Sequence, residues 1–140
     1  PRAAQHGVFV ATAAVADWRP ADVAEHKMKK DGSGHPPRIE FAENPDILAS
    51  VAKLPAGERP FCVGFAAESQ DMVRHAREKL ARKGGPMIVA NLGPATFGRD
   101  DNECVIVEPG GDTALPRADK LTLARALVAH IAARLGPAQS

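Results

Sequence analysis

Three short apolar runs constrain this chain most: Gly7-Val8-Phe9-Val10-Ala11-Thr12-Ala13, Phe61-Cys62-Val63-Gly64-Phe65 and Met87-Ile88-Val89-Ala90. Each is continuous rather than alternating, so a strand built from it presents apolar side chains on both faces. A sheet with one wet face calls for alternation, whereas continuous apolar strands belong in a parallel sheet covered on both sides. Helical patterns separate the runs, so the plan is β-α-β-α and the class is α/β. The 140 residues suit a single domain with a real hydrophobic core.

The pattern predicts a first helix opening at Asn44-Pro45-Asp46-Ile47-Leu48. Asn44 is a good N-cap, Pro45 suits the first helical position, and Asp46 complements the positive end of the dipole. Ile47, Leu48, Val51 and Leu54 follow at helical spacing, and Pro55 ends the element. A second helix is expected over residues 69–83, with Met72, Ala76 and Leu80 every fourth residue and Val73 beside them. Its acids, Glu68 and Asp71, come early, its cations Lys79, Arg82 and Lys83 come late, and Gly84-Gly85 stops it. Glu103-Cys104-Val105-Ile106-Val107, the turn Gly110-Gly111-Asp112 and Thr113-Ala114-Leu115 read as an antiparallel hairpin at the far edge of the sheet. Asp119 then caps a last helix with Leu121, Ala124, Leu127, Val128, Ile131 and Leu135 on one stripe, before a loose tail over residues 136–140.

Composition narrows the function classes. A net charge of +1 argues against a large nucleic-acid footprint. No run approaches the roughly 18 consecutive apolar residues of a membrane span, and the start has no signal-peptide plan. The chain opens without an initiator Met and enters a strand almost at once, which reads as a fragment or trimmed piece. Cys62 and Cys104 lie in apolar strand-like runs with no C-x-x-C spacing, which reads as free buried thiols in a reducing, cytoplasmic setting.

Residues that could carry chemistry cluster after the first strand. Ligands of open parallel sheets bind beyond the carboxyl ends of the strands, which is where Ala13-Ala14-Val15-Ala16-Asp17-Trp18 falls. Asp17 is either an active-site acid or the cap of a short helix. Residues 20–38 have no apolar periodicity and carry Lys27, Lys29 and Lys30, a cationic, mobile loop that either neutralises phosphate charge or is simply solvated. The helix start at Asn44 offers unpaired backbone N–H groups to an anion, as any capped helix does. Lys79 and Lys83 are four apart on one helix face, and Phe65 ends its strand as a core residue or a base-packing aromatic. The five histidines lack metal-ligand spacing, and no serine-hydrolase, zincin or P-loop signature is present. The residues alone indicate an α/β domain with a cationic nucleotide or phosphate site.

Four blocks in order carry a closer likeness: Ala13-Ala14-Val15-Ala16-Asp17-Trp18-Arg19-Pro20, Lys27-Met28-Lys29-Lys30, Asn44-Pro45-Asp46-Ile47-Leu48 and Val63-Gly64-Phe65-Ala66-Ala67-Glu68. Phe97-Gly98 and Asp100-Asp101-Asn102-Glu103 continue it. Together they resemble the phosphopantothenate–cysteine ligase family, the C-terminal domain of the bacterial bifunctional coenzyme A biosynthesis protein. The resemblance implies a Rossmann-like three-layer fold with a mainly parallel sheet and a C-terminal antiparallel hairpin. It implies that 4'-phosphopantothenate and L-cysteine are joined through an acyl-cytidylate, CTP giving pyrophosphate and then CMP. Mg²⁺ would act chiefly through the phosphates, with Asp17 as its one candidate protein ligand. FMN would belong only to a fused decarboxylase domain.

By the same resemblance Ala11, Thr12 and Ala13 line the nucleotide site at the strand end. Asp17 is the acid near triphosphate and metal, and Lys27 the essential loop lysine. Pro45, Asp46, Ile47 and Leu48 hold phosphates, Phe65 is the pocket aromatic, and Lys79 and Lys83 are further nucleotide contacts. Asp17 and Lys27 are the two expected in catalysis. The family also implies a homodimer, a cytoplasmic location and no nucleic-acid or membrane partner. It has an upstream strand, a glycine-containing phosphate loop and an active-site Asn that this chain lacks, so the fragment alone is expected to be inactive. The family's Ala-Asn-Asp is Ala90-Asn91-Leu92 here, and Leu92 receives no role. Two other readings stand beside it: a nucleotide-binding regulatory or degenerate domain, and a Rossmann-like oxidoreductase, for which the G-x-G-x-x-G fingerprint is absent.

Overall fold

A computed structural model describes residues 2–12, 15–24, 26–29, 32–68, 71–92 and 98–136, the side chain of Leu92 excepted. In chain order its elements are β1 (Val8–Ala11), β2 (Trp18–Pro20), β3 (Phe41–Glu43), α1 (Ile47–Ala52), β4 (Phe61–Glu68), α2 (Met72–Lys83), β5 (Met87–Leu92), β6 (Asp101–Glu108), β7 (Gly111–Asp119) and α3 (Lys120–Leu135). They fall into two compact units, one of Pro1–Thr12 with Leu48–Ser140, the other of Ala13–Ile47.

The larger unit holds a five-stranded sheet in the order β1-β4-β5-β6-β7. β1, β4 and β5 are parallel; β6 returns antiparallel and β7 pairs antiparallel to β6. Four of the five strands therefore point one way, and the expected Rossmann-like plan with a C-terminal hairpin is what the chain adopts. Alternation along β4 splits its side chains between two cores. Cys62 and Ala66 meet Leu48, Ala52, Ala76 and Leu80 of α1 and α2, while Val63 shares the other core with Met87, Val89, Ile106 and Ile131 of α3. Residues such as Met87, Ile88, Val89 and Ile106 are essentially inaccessible. Burying each such side chain contributes about 1.5–3 kcal/mol, which is why continuous apolar runs end up here.

Helix boundaries differ from the sequence expectation in instructive ways. α1 begins at Ile47, not Asn44. The Asn44 amide instead donates to the Ala16 carbonyl at 2.8 Å, and its backbone N–H donates to the Asp17 carbonyl at 2.8 Å. With side chain and backbone both engaged upstream, Asn44 cannot cap. α2 begins at Met72 and stops where Gly84, in the left-handed region, returns its N–H to the Leu80 carbonyl. Glu68, expected beside the helix start, is the last residue of β4. Residues 69 and 70 of the expected helix lie outside the described residues.

α3 carries the expected cap, Asp119 accepting from the Thr122 N–H at 2.9 Å. Its packed line is Leu123, Leu127 and Ile131 rather than the wider expected stripe. Leu121, Val128 and Leu135 are exposed, because they sit roughly 100° round the helix from Leu127 at 3.6 residues per turn. α3 packs mainly on β6 and β7, with Ile131 also reaching Val63, Met87 and Val89 of β4 and β5. Among the described residues no helix is long and apolar enough to cross a membrane.

In the smaller unit β2 and β3 pair antiparallel, Trp18 opposite Glu43 and Pro20 opposite Phe41. Trp18-Arg19-Pro20 was not expected to be a strand. The described residues of 21–38 have no helix or strand and are exposed.

One charge enters the described core. Glu108, 8% exposed, accepts from Arg134 Nε and Nη2 at 2.8 Å each and bonds His130 Nε2 at 2.9 Å. The cluster ties the last turns of α3 to the end of β6. The Arg134 hydrogen bond, aided by His130 and opposed by burial, holds the Glu108 carboxyl below its ordinary range. A depressed carboxyl contributes stability above its unfolded-state value and loses it as pH falls through the folded one. Glu108→Gln should therefore cost about 2 kcal/mol in urea unfolding at pH 7, with the gap to wild type closing below the ordinary carboxylate range. An equal gap at both pH values would show that packing, not charge, is lost.

Candidate functional site

At the carboxyl end of β4 the strand outruns its neighbour β1. β1 pairs with β4 from Val8 opposite Phe61 to Ala11 opposite Gly64. β4 continues through Phe65-Ala66-Ala67-Glu68, still paired to β5 on its other side. On the β1 side the backbone of that overrun has no described strand partner, and a buried carbonyl left so would be costly. Lys79 answers part of it, its Nζ donating to the Phe65 carbonyl at 2.7 Å.

Lys79 belongs to a polar stripe on α2. His75, Lys79 and Lys83 recur at every fourth residue, hence on one helix face, and all three are partly buried. α2 runs back from the carboxyl end of β4 toward the amino end of β5, so the stripe descends along the sheet. His75 stands at the strand-end level, where its Nδ1 bonds Glu68 Oε2 at 3.2 Å. Lys79 stands one turn lower. Lys83 is the last helical residue, nearest the amino end of β5.

The Phe65 side chain and Lys79 therefore meet the strand from opposite faces. The ring, facing the α3 side, lines a recess of about 170 Å³ with Val89, Cys104, Leu115, Leu123 and Leu127. Only the Phe65 carbonyl is shared with Lys79. Across the hairpin, Asp101 opens β6 at the same end of the sheet, since β6 runs antiparallel to β5. It accepts from Arg99 at 2.7 Å and Arg117 at 3.1 Å, and these donors, Arg99 foremost, hold its carboxyl far below the usual range. That carboxylate stays ionised and is occupied as a structural anchor.

The remaining expected site residues divide between the units. Ala11 ends β1, and Thr12 follows it, exposed; Ala13 lies outside the described residues, as does Lys30 of the lysine cluster. Leu48 is 9% exposed and faces Gly64, so only its backbone is available to a ligand. In the smaller unit Pro45, Asp46 and Ile47 are exposed just before and at the start of α1. Asp17 is exposed ahead of β2, and no helix follows that it could cap. Lys27 is exposed in the segment without regular structure.

Sequence reasoning missed the group formed by Glu68, His75 and Arg74. Arg74 bonds Asp71 at 3.1 Å and Glu78 at 3.0 Å, and its Nη2 lies 3.0 Å from His75 Nε2. The available signal was the spacing of seven between Glu68 and His75 across a strand-to-helix turn, which needs the strand end to be placed correctly. As for metal, the described residues hold no group of three or more His, Cys, Asp or Glu side chains suited to an ion. Isolated carboxylates such as Asp17 fit a Mg²⁺ carried mainly by phosphates, which takes one or two protein carboxylates and keeps its waters.

Comparison with known proteins identifies relatives of the chain. The family model for the DNA/pantothenate metabolism flavoprotein C-terminal domain matches residues 1–135. The coenzyme A biosynthesis bifunctional protein CoaBC of Vibrio cholerae is 46% identical over 129 residues, covering 90% of this chain and 32% of that protein. The same-named protein of Escherichia coli K12 is 40% identical over 134 residues, 93% of this chain and 33% of that one. The chain thus spans about a third of the length of these relatives. The crystal structure of the C-terminal domain of a CoaBC protein superposes with a TM-score of 0.68 at 28% identity, over 93% of this chain and 55% of that one. A DNA/pantothenate metabolism flavoprotein from Streptococcus pneumoniae shares the fold, with a TM-score of 0.69 at 19% identity.

The end of β1 and the start of α1 are brought together through Gly64. A Cβ on Gly64 would lie 2.5 Å from Leu48 Cδ2 and 2.7 Å from Ile88 Cδ1. Gly64→Val should displace Leu48 and cost about 1–3 kcal/mol in chemical denaturation. Unchanged stability would mean that the two side chains swing clear without strain.

Proposed function

This chain belongs to the DNA/pantothenate metabolism flavoprotein C-terminal domain family, and on that premise we propose that it is the ligase portion of a coenzyme A biosynthesis protein. The reaction joins 4'-phosphopantothenate to L-cysteine with CTP. The observation that carries the reading is identity of 40–46% with CoaBC proteins over nine-tenths of the chain.

In the proposed chemistry the phosphopantothenate carboxylate attacks the α-phosphorus of CTP, and the bond to the β-phosphate oxygen breaks, its electron pair leaving on pyrophosphate. The cysteine amine then attacks the acyl carbon, and CMP departs with the electrons of the broken C–O bond. Lys27 is the residue assigned to the charge that grows at the α-phosphate, an effect strongest where water is excluded. Asp17 is assigned to the triphosphate and its Mg²⁺, which polarises the phosphates when bound. The backbone N–H groups of Asp46, Ile47 and Leu48 are assigned to phosphate oxygens, and Pro45, which has no N–H, lines the same turn. Ala11, Thr12 and Ala13 line the nucleotide at the end of β1, beside the Phe65 segment that Lys79 braces. Lys83 adds positive charge on the same helix face.

The proposal extends to the rest of the protein. Since the relatives are about three times as long, we assign to sequence outside these 140 residues a further strand with a glycine-containing phosphate loop, and a fused FMN-dependent decarboxylase domain. We place the protein in the cytoplasm as a homodimer; its free thiols Cys62 and Cys104 suit a reducing compartment.

The test is pyrophosphate release from CTP and Mg²⁺, measured on the polypeptide as its gene encodes it. Release should require phosphopantothenate, and ATP should be a clearly poorer donor. Lys27→Ala should lower the rate by about 10²-fold or more, the scale on which single preorganised charge donors act. Release without phosphopantothenate, or indifference to Lys27→Ala, would sink the assignment.

A further inference from the structure

We propose that Glu68 receives the amino group of the amino-acid substrate, holding the ammonium and then accepting the proton that leaves nitrogen as the amide forms. The inference rests on the ligase reading and adds to it the group that handles the nucleophile.

Three observations carry it. The first is position. Glu68 is the last residue of β4, four residues past the last β1 pair at Gly64, at the strand end where open α/β sheets take their ligands. Its side chain is 25% exposed, enough for a ligand to reach and too little for full hydration. The second is preorganisation. Arg74 is fixed by Asp71 and Glu78, and it presents Nη2 to His75 Nε2. A guanidinium only donates, so Nε2 carries the lone pair and Nδ1 the hydrogen. That Nδ1–H donates to Glu68 Oε2. His75 is thus a positioning residue that aims the carboxylate, and Oε1 accepts no bond among the described residues.

The third observation is charge. The neighbouring stripe of Lys79 and Lys83 suits phosphate, and both CTP and phosphopantothenate are anions. A fixed carboxylate beside them repels either one. The only cationic group among the proposed reactants is the ammonium of the amino acid, and a carboxylate is its natural partner.

The proton count agrees. An ammonium must lose two protons to become an amide nitrogen. One leaves to water in the equilibrium that generates the free amine. The second becomes acidic as nitrogen bonds to the acyl carbon, and it passes to Glu68 while CMP departs with the electron pair of the broken C–O bond. Glu68 then returns the proton to solvent through its exposed oxygen.

The test separates the two half-reactions in the protein as its gene encodes it. Glu68→Gln should release pyrophosphate from CTP and phosphopantothenate within about threefold of wild type, which also reports that it folds. Transfer to cysteine should slow by about 10²-fold or more, the usual scale of general-base catalysis, with a raised KM for cysteine. Hydroxylamine, uncharged near neutral pH, has no ammonium to be held but must still lose one proton from nitrogen, so its capture of the intermediate should slow in the variant clearly less than transfer to cysteine does. His75→Asn, which keeps a donor near the Nδ1 position, should transfer faster than His75→Ala. Equal slowing with cysteine and hydroxylamine, an unimpaired transfer, or loss of pyrophosphate release in Glu68→Gln would each overturn the proposal. A wild-type protein that itself releases no pyrophosphate would overturn the ligase reading, and this inference with it.

Discussion

Two-sided burial of β4 is the constraint on which the rest of this structure depends. Cys62, Val63 and Ala66 are essentially inaccessible, and they alternate between a core shared with α1 and α2 and a core that reaches α3. Because β4 must be covered on both faces, it lies inside the sheet, and helices take both sides. Gly64 sharpens the arrangement, since the absent side chain lets Leu48 of α1 and Ile88 of β5 close over the strand. The start of α1 and the end of β1 are thereby held against the same residue.

Burial makes polar groups expensive unless they are paired, and the pairings found here mark where the fold does more than pack. Glu108 is neutralised by Arg134, is hydrogen-bonded to His130 and pins a helix. The Phe65 carbonyl, beyond the reach of β1, is met by Lys79. Glu68 is met by His75, itself held by Arg74. The first of these lies at the end of β6, which is the opposite end of the sheet from the end of β4. The other two line the overrun of β4, the end of the sheet at which we propose that the ligands bind. One fold thus keeps its stabilising ion cluster apart from the proposed site.

Much of the architecture was legible in the residues. Continuous apolar runs named β1, β4 and β5, the turn at Gly110-Gly111 named the hairpin, and Asp119 named the cap of α3. Burial and local hydrogen bonding each act over a few neighbouring residues, and such signals survive in one dimension. Where the reading slipped, a distant partner had intervened. Asn44 has the chemistry of a cap but spends it on the carbonyl of Ala16, 28 residues earlier. Trp18-Arg19-Pro20 became a strand because Phe41-Ala42-Glu43 was there to pair with it. α3 exposes Leu121, Val128 and Leu135 because only the line of Leu123, Leu127 and Ile131 meets the sheet.

The candidate site divides along the same line. By itself the sequence determined the class of the fold, the cations available for phosphate and the family, because composition, periodicity and ordered blocks are properties of the chain. Tertiary structure alone decided that Lys79 reaches a backbone carbonyl while the Phe65 ring turns to the other face, and that Leu48 is a core residue. It alone turned Glu68 from a supposed helix-start acid into a braced carboxylate at a strand end. Those outcomes depend on how far β4 runs past β1, and register between strands is set by packing across the sheet, which no single segment contains.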